Sequence, residues 1–544
     1  MSEYLRGWLQ RPNSDRGIHL ALDAGGWERL SYAELASAAR RTAAALIEDG
    51  VRPGDVVCVL MPTGFPCITS FFGVWAAGAT VCLIPPPAFV GEDDYVAHVG
   101  RILAQAQPKL LVTSTELEHF AGRALNEAGL DQKPWPHREA ATEADVQPAG
   151  DLALLQFTSG SSGTPRGVQV TWVNLTANIE LIRSWTDWRD DDRTASWLPL
   201  YHDMGLIGCL LTPVCSQGDL WLMRPVQFIR DPARWLECLT FAQHTAAPPF
   251  AFDYLTRRLH PEHLSTMDLS GWRTAIIGAE PVDPDALERF AALAAPAGFS
   301  PSAYLPAYGL AEATLAVSAH TATEAPPVIR PDSASMRFGE VVVVEQERKL
   351  GDPTTDGEGG WLVGCGSATG VRVLDEGGAV LDEGRLGEIE VHGTSVAVGY
   401  RGGHEHASTR FVGRAVRTGD AGFIHKGQLY VLGRMGDSLK VRGRSVYAED
   451  LEAKVSAATR MRRGRFAVVS TVPSGVALFA EAAEGGWIDD ASTVLRNELG
   501  PDVPISVVIG SSGLIRKTSS GKPKRRHMWE QFQAGELAGA RVAR

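Results

Sequence analysis

The chain has 544 residues, 44% of them hydrophobic, 21% charged and 8% aromatic, which is ordinary for a globular protein and enough to build several packed units. Lys and Arg number 52 against 64 Asp and Glu, and the formal net charge of −12 argues against a dedicated nucleic-acid binder. The seven cysteines are scattered and form no C-x-x-C pair, which argues against zinc ribbons and thioredoxin-type sites and fits free thiols in a reducing cytoplasm.

The N-terminus, Met-Ser-Glu-Tyr-Leu-Arg, has no apolar signal-peptide core, so a cytoplasmic location is expected. Tyr32–Glu48 has apolar residues at helical spacing before an Asp49-Gly50 turn, and Asp55–Met61 reads as a short buried strand. No charge occurs from Pro62 to Gly91. Pro66, Gly73, Gly78 and Pro85-Pro86-Pro87 interrupt that run, so it is read as a buried helix (Pro66–Ala77) and strand (Ala79–Ile84), not a membrane span. A helix around Ala97–Gln107 and a strand Lys109–Thr113 continue the alternation, which recurs at Leu236–Gln243, Thr274–Ile277 and Pro284–Ala294. Such alternation predicts a mostly parallel sheet covered on both faces. Arg330–Gly360 reads as an irregular insertion with one strand at Glu340–Glu345. Beyond about residue 360, strand-like runs at Gly370–Leu374, Gly387–His392 and Gln428–Leu432 are joined by Gly/Asp/Glu turns, as in a small antiparallel barrel. From Arg434 a new pattern begins, with helices at Ala448–Ala458 and Asp489–Leu499 around strands at Arg465–Thr471 and Val476–Ala480.

The strongest local signal is LLQFTSGSSGTPRGVQV at Leu154–Val170. A Gly-rich turn between two apolar runs can fold its N–H groups toward an anion, and its hydroxyls add donors, although the Walker A spacing is absent. This segment resembles the phosphate-binding loop of adenylate-forming enzymes: acyl-CoA synthetases, peptide-synthetase adenylation domains, luciferases and fatty acyl-AMP ligases. Four further motifs follow in family order: AYGLAEAT (Ala307–Thr314), Thr418-Gly419-Asp420, GRMGDSLKVRGRSVYAEDLE (Gly433–Glu452) and KTSSGK (Lys517–Lys522). WLPLYHDMGLI (Trp197–Ile207), LIPPP (Leu83–Pro87), GAEPV (Gly278–Val282) and RGRSVY (Arg442–Tyr447) resemble the fatty acyl-AMP ligase branch. So does APPFAFDY (Ala247–Tyr254), with Pro249 where Asn is common.

The resemblance implies an α/β fold: a large N-terminal domain (1–433) of two layered αβα subdomains plus a small β-barrel subdomain, then a small mobile α+β C-terminal domain (434–544). The branch-specific insertion, associated with poor use of free CoA, would fall at about 330–360. The resemblance also implies ATP and Mg²⁺. Thr158, Ser159, Gly160, Ser161, Ser162, Gly163, Thr164 and Arg166 would surround the phosphates. Gly278, Ala279, Glu280, Tyr308, Gly309, Ala311 and Thr314 would form the adenine site, with Tyr308 as a stacking face. Glu312 would hold Mg²⁺ through a hard carboxylate oxygen, and Asp420 and Arg434 would bind the ribose. His202, Met204, Gly205, Phe250 and Gly278 would line the acyl site, and Lys522 would contact the acyl carboxylate and α-phosphate. The residues implied to act in catalysis are Lys522, His202, Glu312 and Thr158. Two positions depart from the pattern: Arg166 stands where many relatives have Lys, and Gly436 occupies the hinge position usually held by Asp or Lys.

The expected activity is ATP-dependent conversion of a fatty or related acid to acyl-AMP, then transfer to the phosphopantetheine thiol of an acyl carrier protein. The alternatives are an acyl- or aryl-CoA ligase and a catalytically silent adenylate-binding scaffold; no hydrolase nucleophile elbow is present. Residues 434–544 hold 18 basic and 12 acidic residues on an otherwise acidic chain. Arg460–Arg465 and Lys522–Arg526 are its densest basic runs and candidate docking surface for an acidic carrier.

Overall fold

The structure is a computed structural model. It describes every residue except 1, 88–90, 159–164, 353–359, 404–408, 436–437, 442–443, 463, 472–474, 502, 518–522, 538 and 544. Two large sheets dominate. The first has six strands in the order Trp135–Pro136, Leu110–Thr113, Val56–Leu60, Thr80–Ile84, Leu152–Thr158, Arg166–Thr171, parallel except for the last pair. The second has eight: Ala316–Ala319, Tyr304–Gly309, Thr274–Ile277, His244–Ala247, Arg193–Ser196, Asp219–Leu222, Gly17–Ala21, Trp27–Ser31, with antiparallel strands only at its two edges. Val56–Leu60 and Thr80–Ile84 are buried along their whole length, as strands covered on both faces must be.

The helices form where the sequence specifies start signals and an apolar stripe. Tyr32–Glu48 begins with a capping box: Ser31 Oγ accepts from the Glu34 N–H (3.2 Å), and Glu34 Oε2 accepts from the Ser31 N–H (2.8 Å). It lies against Phe65–Ala76, and Gly73 permits the approach, because a Cβ there would stand 2.7 Å from Thr42 Cγ2. The uncharged run is therefore a core helix and strand, and among the described residues no helix is long and apolar enough to cross a membrane.

Several boundaries differ from the sequence reading. Leu236–Gln243 divides between the end of the helix Pro232–Cys238 and a turn, and the strand starts at His244. In the 330–360 region the strand lies at Val344–Lys349 instead of Glu340–Glu345, and it pairs with Pro327–Pro331. Its alternating burial explains the displacement: one face of the strand is solvated, so it carries no apolar run to read. Val371–Leu374, Gly387–His392, Arg410–Val412, Ala415–His425 and Gln428–Arg434 make a five-stranded antiparallel sheet. It shares a core of Ile329, Val342, Leu386, Phe423 and Tyr430 with the strands of the 330–360 region. The C-terminal region is α+β: a sheet of Phe466–Thr471, Gly475–Ala480, Ile505–Ile509 and Arg541–Val542 packs against the helices Ala448–Thr459, Trp487–Leu499 and Arg525–Gln533. All seven cysteines are free, as expected.

A buried polar network ties three strands of the larger sheet at their amino ends. Asp192 Oδ2 lies 2.8 Å from His244 Nε2 and accepts from Arg273 Nη2 (2.6 Å) and the Arg189 N–H (2.7 Å), while His244 Nδ1 faces Thr274 Oγ1 at 2.7 Å. Burial raises the Asp192 carboxyl, but the hydrogen bonds from His244 and Arg189 and the charge of Arg273 outweigh it and hold it below its ordinary value. Burial also holds the His244 imidazole low. Both groups are depressed on folding, so the stability they confer is present at neutral pH and is lost as pH falls below about 6.5. Asp192→Ala should cost about 3 kcal/mol at neutral pH by removing the carboxylate that His244, Arg273 and the Arg189 N–H share, read by urea denaturation. The variant should also lose stability more steeply than wild type as pH falls below about 6.5, because Asp192 is the group that opposes burial at the His244 imidazole.

Candidate functional site

The predicted residues that fall within the described structure gather at one edge. Thr158 ends the strand Leu152–Thr158, Gly278 follows Thr274–Ile277, Gly309 ends Tyr304–Gly309, and the Trp197–His202 stretch follows Arg193–Ser196. All four are carboxyl ends of strands with parallel neighbours, where open α/β sheets present their ligand crevice. The antiparallel sheet supplies the opposite wall with Asp420 and Arg434, which are register partners on adjacent strands. Ser159–Thr164, Gly436 and Lys522 lie outside the described residues.

Asp420 is 7% exposed and held from two sides. The Tyr308 hydroxyl donates to Oδ2 (2.5 Å), and Arg434 Nε reaches Oδ1 (2.9 Å). Arg434 Nη1 also donates to Thr409 Oγ1 (2.8 Å) and the Thr418 carbonyl (2.6 Å), so its plane is fixed. Burial and then the Asp420 charge push the Tyr308 phenol far above its ordinary value, which keeps it a donor.

Glu312, 4% exposed, lies in a short 3₁₀ turn (Ala311–Ala313) that Tyr304–Gly309 feeds. Its Oε1 accepts from the Tyr400 hydroxyl at 2.5 Å and lies 3.8 Å from Arg166 Nη2. Arg166 Nη1 donates to Tyr400 Oη (3.1 Å), and the guanidinium carbon stands 4.9 Å from the Tyr400 ring centre. Burial first, then Glu312, raises the Tyr400 phenol well above its ordinary value. The sequence reading missed Tyr400; its one signal is an aromatic residue inside the Gly-rich stretch Gly399–Gly403. The segment around it binds two parts of the fold, the turn of Glu312 and the strand of Arg166. The Ala397 N–H donates to the Glu312 carbonyl (2.9 Å), the Arg401 N–H to Gly167 (2.7 Å), and Thr314 Oγ1 to Ser395 (2.6 Å).

Backbone strain collects here. Ala279 (φ +70°) and Thr314 (φ +69°) are non-glycine residues in the left-handed region. Gly309 is required, because a Cβ would stand 2.1 Å from the Leu315 carbonyl oxygen. The Thr158 hydroxyl oxygen is buried and has no hydrogen-bond partner among the described residues.

On the other flank, Gln156 Nε2 donates to the Tyr201 carbonyl (3.0 Å), fixing the turn that carries His202. Met204–Leu211 then forms a π-helix, a rare geometry concentrated at functional sites. Asp203 Oδ1 accepts from the Met204 N–H (2.8 Å) at the start of that helix. Phe250, 41% exposed, packs on Trp197 (ring centres 5.8 Å), which stacks on Phe228 at 4.1 Å. Two cavities of about 550 and 370 Å³ lie elsewhere, on either side of Phe65-Pro66, and contain none of the predicted site residues.

Gly205→Ala should destabilise the protein by about 1–3 kcal/mol in thermal unfolding, because the new Cβ would stand 2.3 Å from the Pro199 carbonyl oxygen. Gly208→Ala on the same helix would meet only Leu315 Cδ2 at 3.5 Å and should stay within about 0.5 kcal/mol of wild type.

The family model described as AMP-binding enzyme matches residues 9–401. The long-chain-fatty-acid–AMP ligase FadD32 of Mycolicibacterium smegmatis is 30% identical, over 94% of this chain and 90% of its own. The medium-chain-fatty-acid–[acyl-carrier-protein] ligase JamA of Moorena producens is 30% identical, over 93% of this chain and 90% of its own. A solved structure from work on fatty acyl-adenylate ligases of E. coli and L. pneumophila superposes with a TM-score of 0.87 at 28% identity, covering 98% of each chain. The chain therefore belongs to the AMP-binding family of adenylate-forming enzymes.

Proposed function

We propose that this enzyme adenylates a fatty or related carboxylic acid and passes the acyl group to the phosphopantetheine thiol of an acyl carrier protein. The observation that carries the reading is the pair of buried carboxylates, Asp420 and Glu312, each pre-set by a tyrosine and an arginine around one crevice. Asp420 has the geometry to accept from a ribose diol with Arg434 beside it. Tyr308 and the Gly278–Glu280 turn would bound the base. The Thr158 hydroxyl, unpartnered among the described residues, and the Ser/Gly segment after it fit a polyphosphate.

A carboxylate is a poor electrophile. Attack of its oxygen on the α-phosphorus forms the acyl–phosphate bond and expels pyrophosphate, and the thiol then attacks the acyl carbon with AMP as leaving group. The first step gathers negative charge on phosphate oxygens, so fixed cations lower its barrier. Arg166 and Lys522 are the cations assigned to that role. Glu312 suits Mg²⁺: it is a hard oxygen donor, and the described residues contain no cluster of three ligating side chains, so such an ion would take its remaining ligands from phosphate and water. When bound, the ion would neutralise charge on the phosphates. His202 and Phe250 would flank the acyl side, with Phe250 resting on the buried Trp197.

Two features support a carrier protein as acceptor. The strands of the 330–360 region lie on the antiparallel sheet, where the family's insertion is expected. Arg460, Arg462 and Arg465 form an exposed basic run that would meet an acidic carrier. The second run is not equivalent surface: Arg525 is buried and Lys524 half-buried.

ATP–pyrophosphate exchange over a panel of acids tests the reading, and absence of exchange with every acid would sink it. CoA and carrier protein offered side by side should yield mainly acyl-carrier product. Lys522→Ala should lower acyl-AMP formation at least a hundredfold and leave transfer from supplied acyl-AMP within about threefold of wild type. Asp420→Ala should weaken AMP binding by about tenfold or more in calorimetry, about 1.4 kcal/mol.

A further inference from the structure

The helix Arg525–Gln533 opens with two arginines, the charge that a helix N-terminus disfavours. Local rules do not explain Arg525, but its contacts do. It is 9% exposed, and its Nη1 lies 2.8 Å from Glu449 Oε1. Its Nη2 and Nε reach Glu452 Oε1 at 3.0 and 3.3 Å. The two glutamates are three residues apart on the helix Ala448–Thr459 and so share a face. Glu452 Oε1 also accepts from the Val468 N–H (2.9 Å) on the central sheet of this region. The guanidinium is thus fixed by two carboxylates, one of them anchored to backbone.

Arg525 stands directly after the closed base of the segment that carries Lys522. Lys517 and Pro523 pair across that base, the Lys524 N–H donates to the Arg516 carbonyl (2.7 Å), and the Arg516 N–H meets Met528 Sδ at 3.2 Å. The helix with the glutamates follows the hairpin Ser438–Val441/Arg444–Tyr447. We propose that Glu449 and Glu452 are positioning residues: by clamping Arg525 they hold Arg516, Lys517, Pro523 and Lys524, the residues that bracket Lys522 in the sequence, and adenylation depends on that hold. The inference rests on the reading of Lys522 given above.

Glu452 provides a signature that simple structural support would not. Burial raises its carboxyl to about 7, against the opposing pull of Arg525 on the neighbouring helix and with a further push from Glu449 on its own. Ionisation across that range costs fold stability, because the folded-state value lies above the unfolded one. The same ionisation completes the clamp. Adenylation should therefore rise with pH while this contribution to stability falls.

The test measures acyl-AMP formation and transfer from supplied acyl-AMP to a thiol across this pH range, with thermal unfolding in parallel. Wild type would be compared with Arg525→Gln, Arg525→Lys, Glu449→Gln and Glu452→Gln. Arg525→Gln should lower the adenylation kcat by about tenfold, with KM and transfer within about twofold. Arg525→Lys should recover part of the loss, and Glu452→Gln should abolish the fall in adenylation below about pH 7. Glu449→Gln and Arg525→Lys keep the test open if Arg525→Gln fails to fold. Equal loss of both half-reactions, unchanged adenylation in Arg525→Gln, or an acid limb that survives in Glu452→Gln overturns the clamp while leaving the proposed reaction standing. A wild type that forms no acyl-AMP overturns the reaction and the clamp with it.

Discussion

Burying an ionised carboxylate costs several kcal/mol unless a cation and hydrogen-bond donors come with it. Among the described residues five carboxylates are buried, and each has an arginine within 4 Å from elsewhere in the chain: Asp192 with Arg273, Glu312 with Arg166, Glu388 with Arg410, Glu390 with Arg417, and Asp420 with Arg434. Glu452 with Arg525 repeats the arrangement in the C-terminal region. Asp420–Arg434 and Glu390–Arg417 staple strands already paired in register, whereas Glu312–Arg166 joins a turn that follows a strand of one large sheet to a strand of the other. Removing one member leaves the other buried and uncompensated, so these pairs matter more for fixing the architecture than for net stability.

The same constraint accounts for the departure at Arg166. One guanidinium there addresses the Tyr400 hydroxyl, the Thr409 carbonyl (3.4 Å) and the Glu312 carboxylate, and its carbon lies over the tyrosine ring. A planar fork meets partners in several directions and stacks on an aromatic face; a lysine ammonium keeps the charge without that geometry. Tyr400 is the complement of this choice, because it fills the space between arginine and carboxylate and hydrogen-bonds to both.

The fold was legible where period and punctuation agree. Tyr32–Glu48 and Gly387–His392 match their expected limits because a capping box begins the first and strand neighbours on both sides define the second. The candidate site could be listed only as motifs: Thr158, Gly278 and Glu312 lie at turns or strand ends, whereas Asp420 lies in the middle of Ala415–His425. What the sequence did not disclose depends on partners far along the chain. The π-helix at Met204–Leu211 offers no period to read. Tyr400 becomes meaningful only beside residues 88 and 234 positions away, and Arg525 looks like solvent-facing charge until Glu449 and Glu452 are placed around it.

The segment Thr394–Arg401 has a consequence for synthesis on the ribosome. Both large sheets are encoded before it, so their strands can pair while it is still unmade. Yet Glu312 lacks its tyrosine donor until Tyr400 emerges, and Asp420 lacks its cation until Arg434 does. The crevice is therefore the last part of this region to close. A nascent chain halted between Asp420 and Arg434 would carry a parallel-sheet framework with one unneutralised carboxylate at its mouth, a state for chaperones to shield and not one set to bind nucleotide.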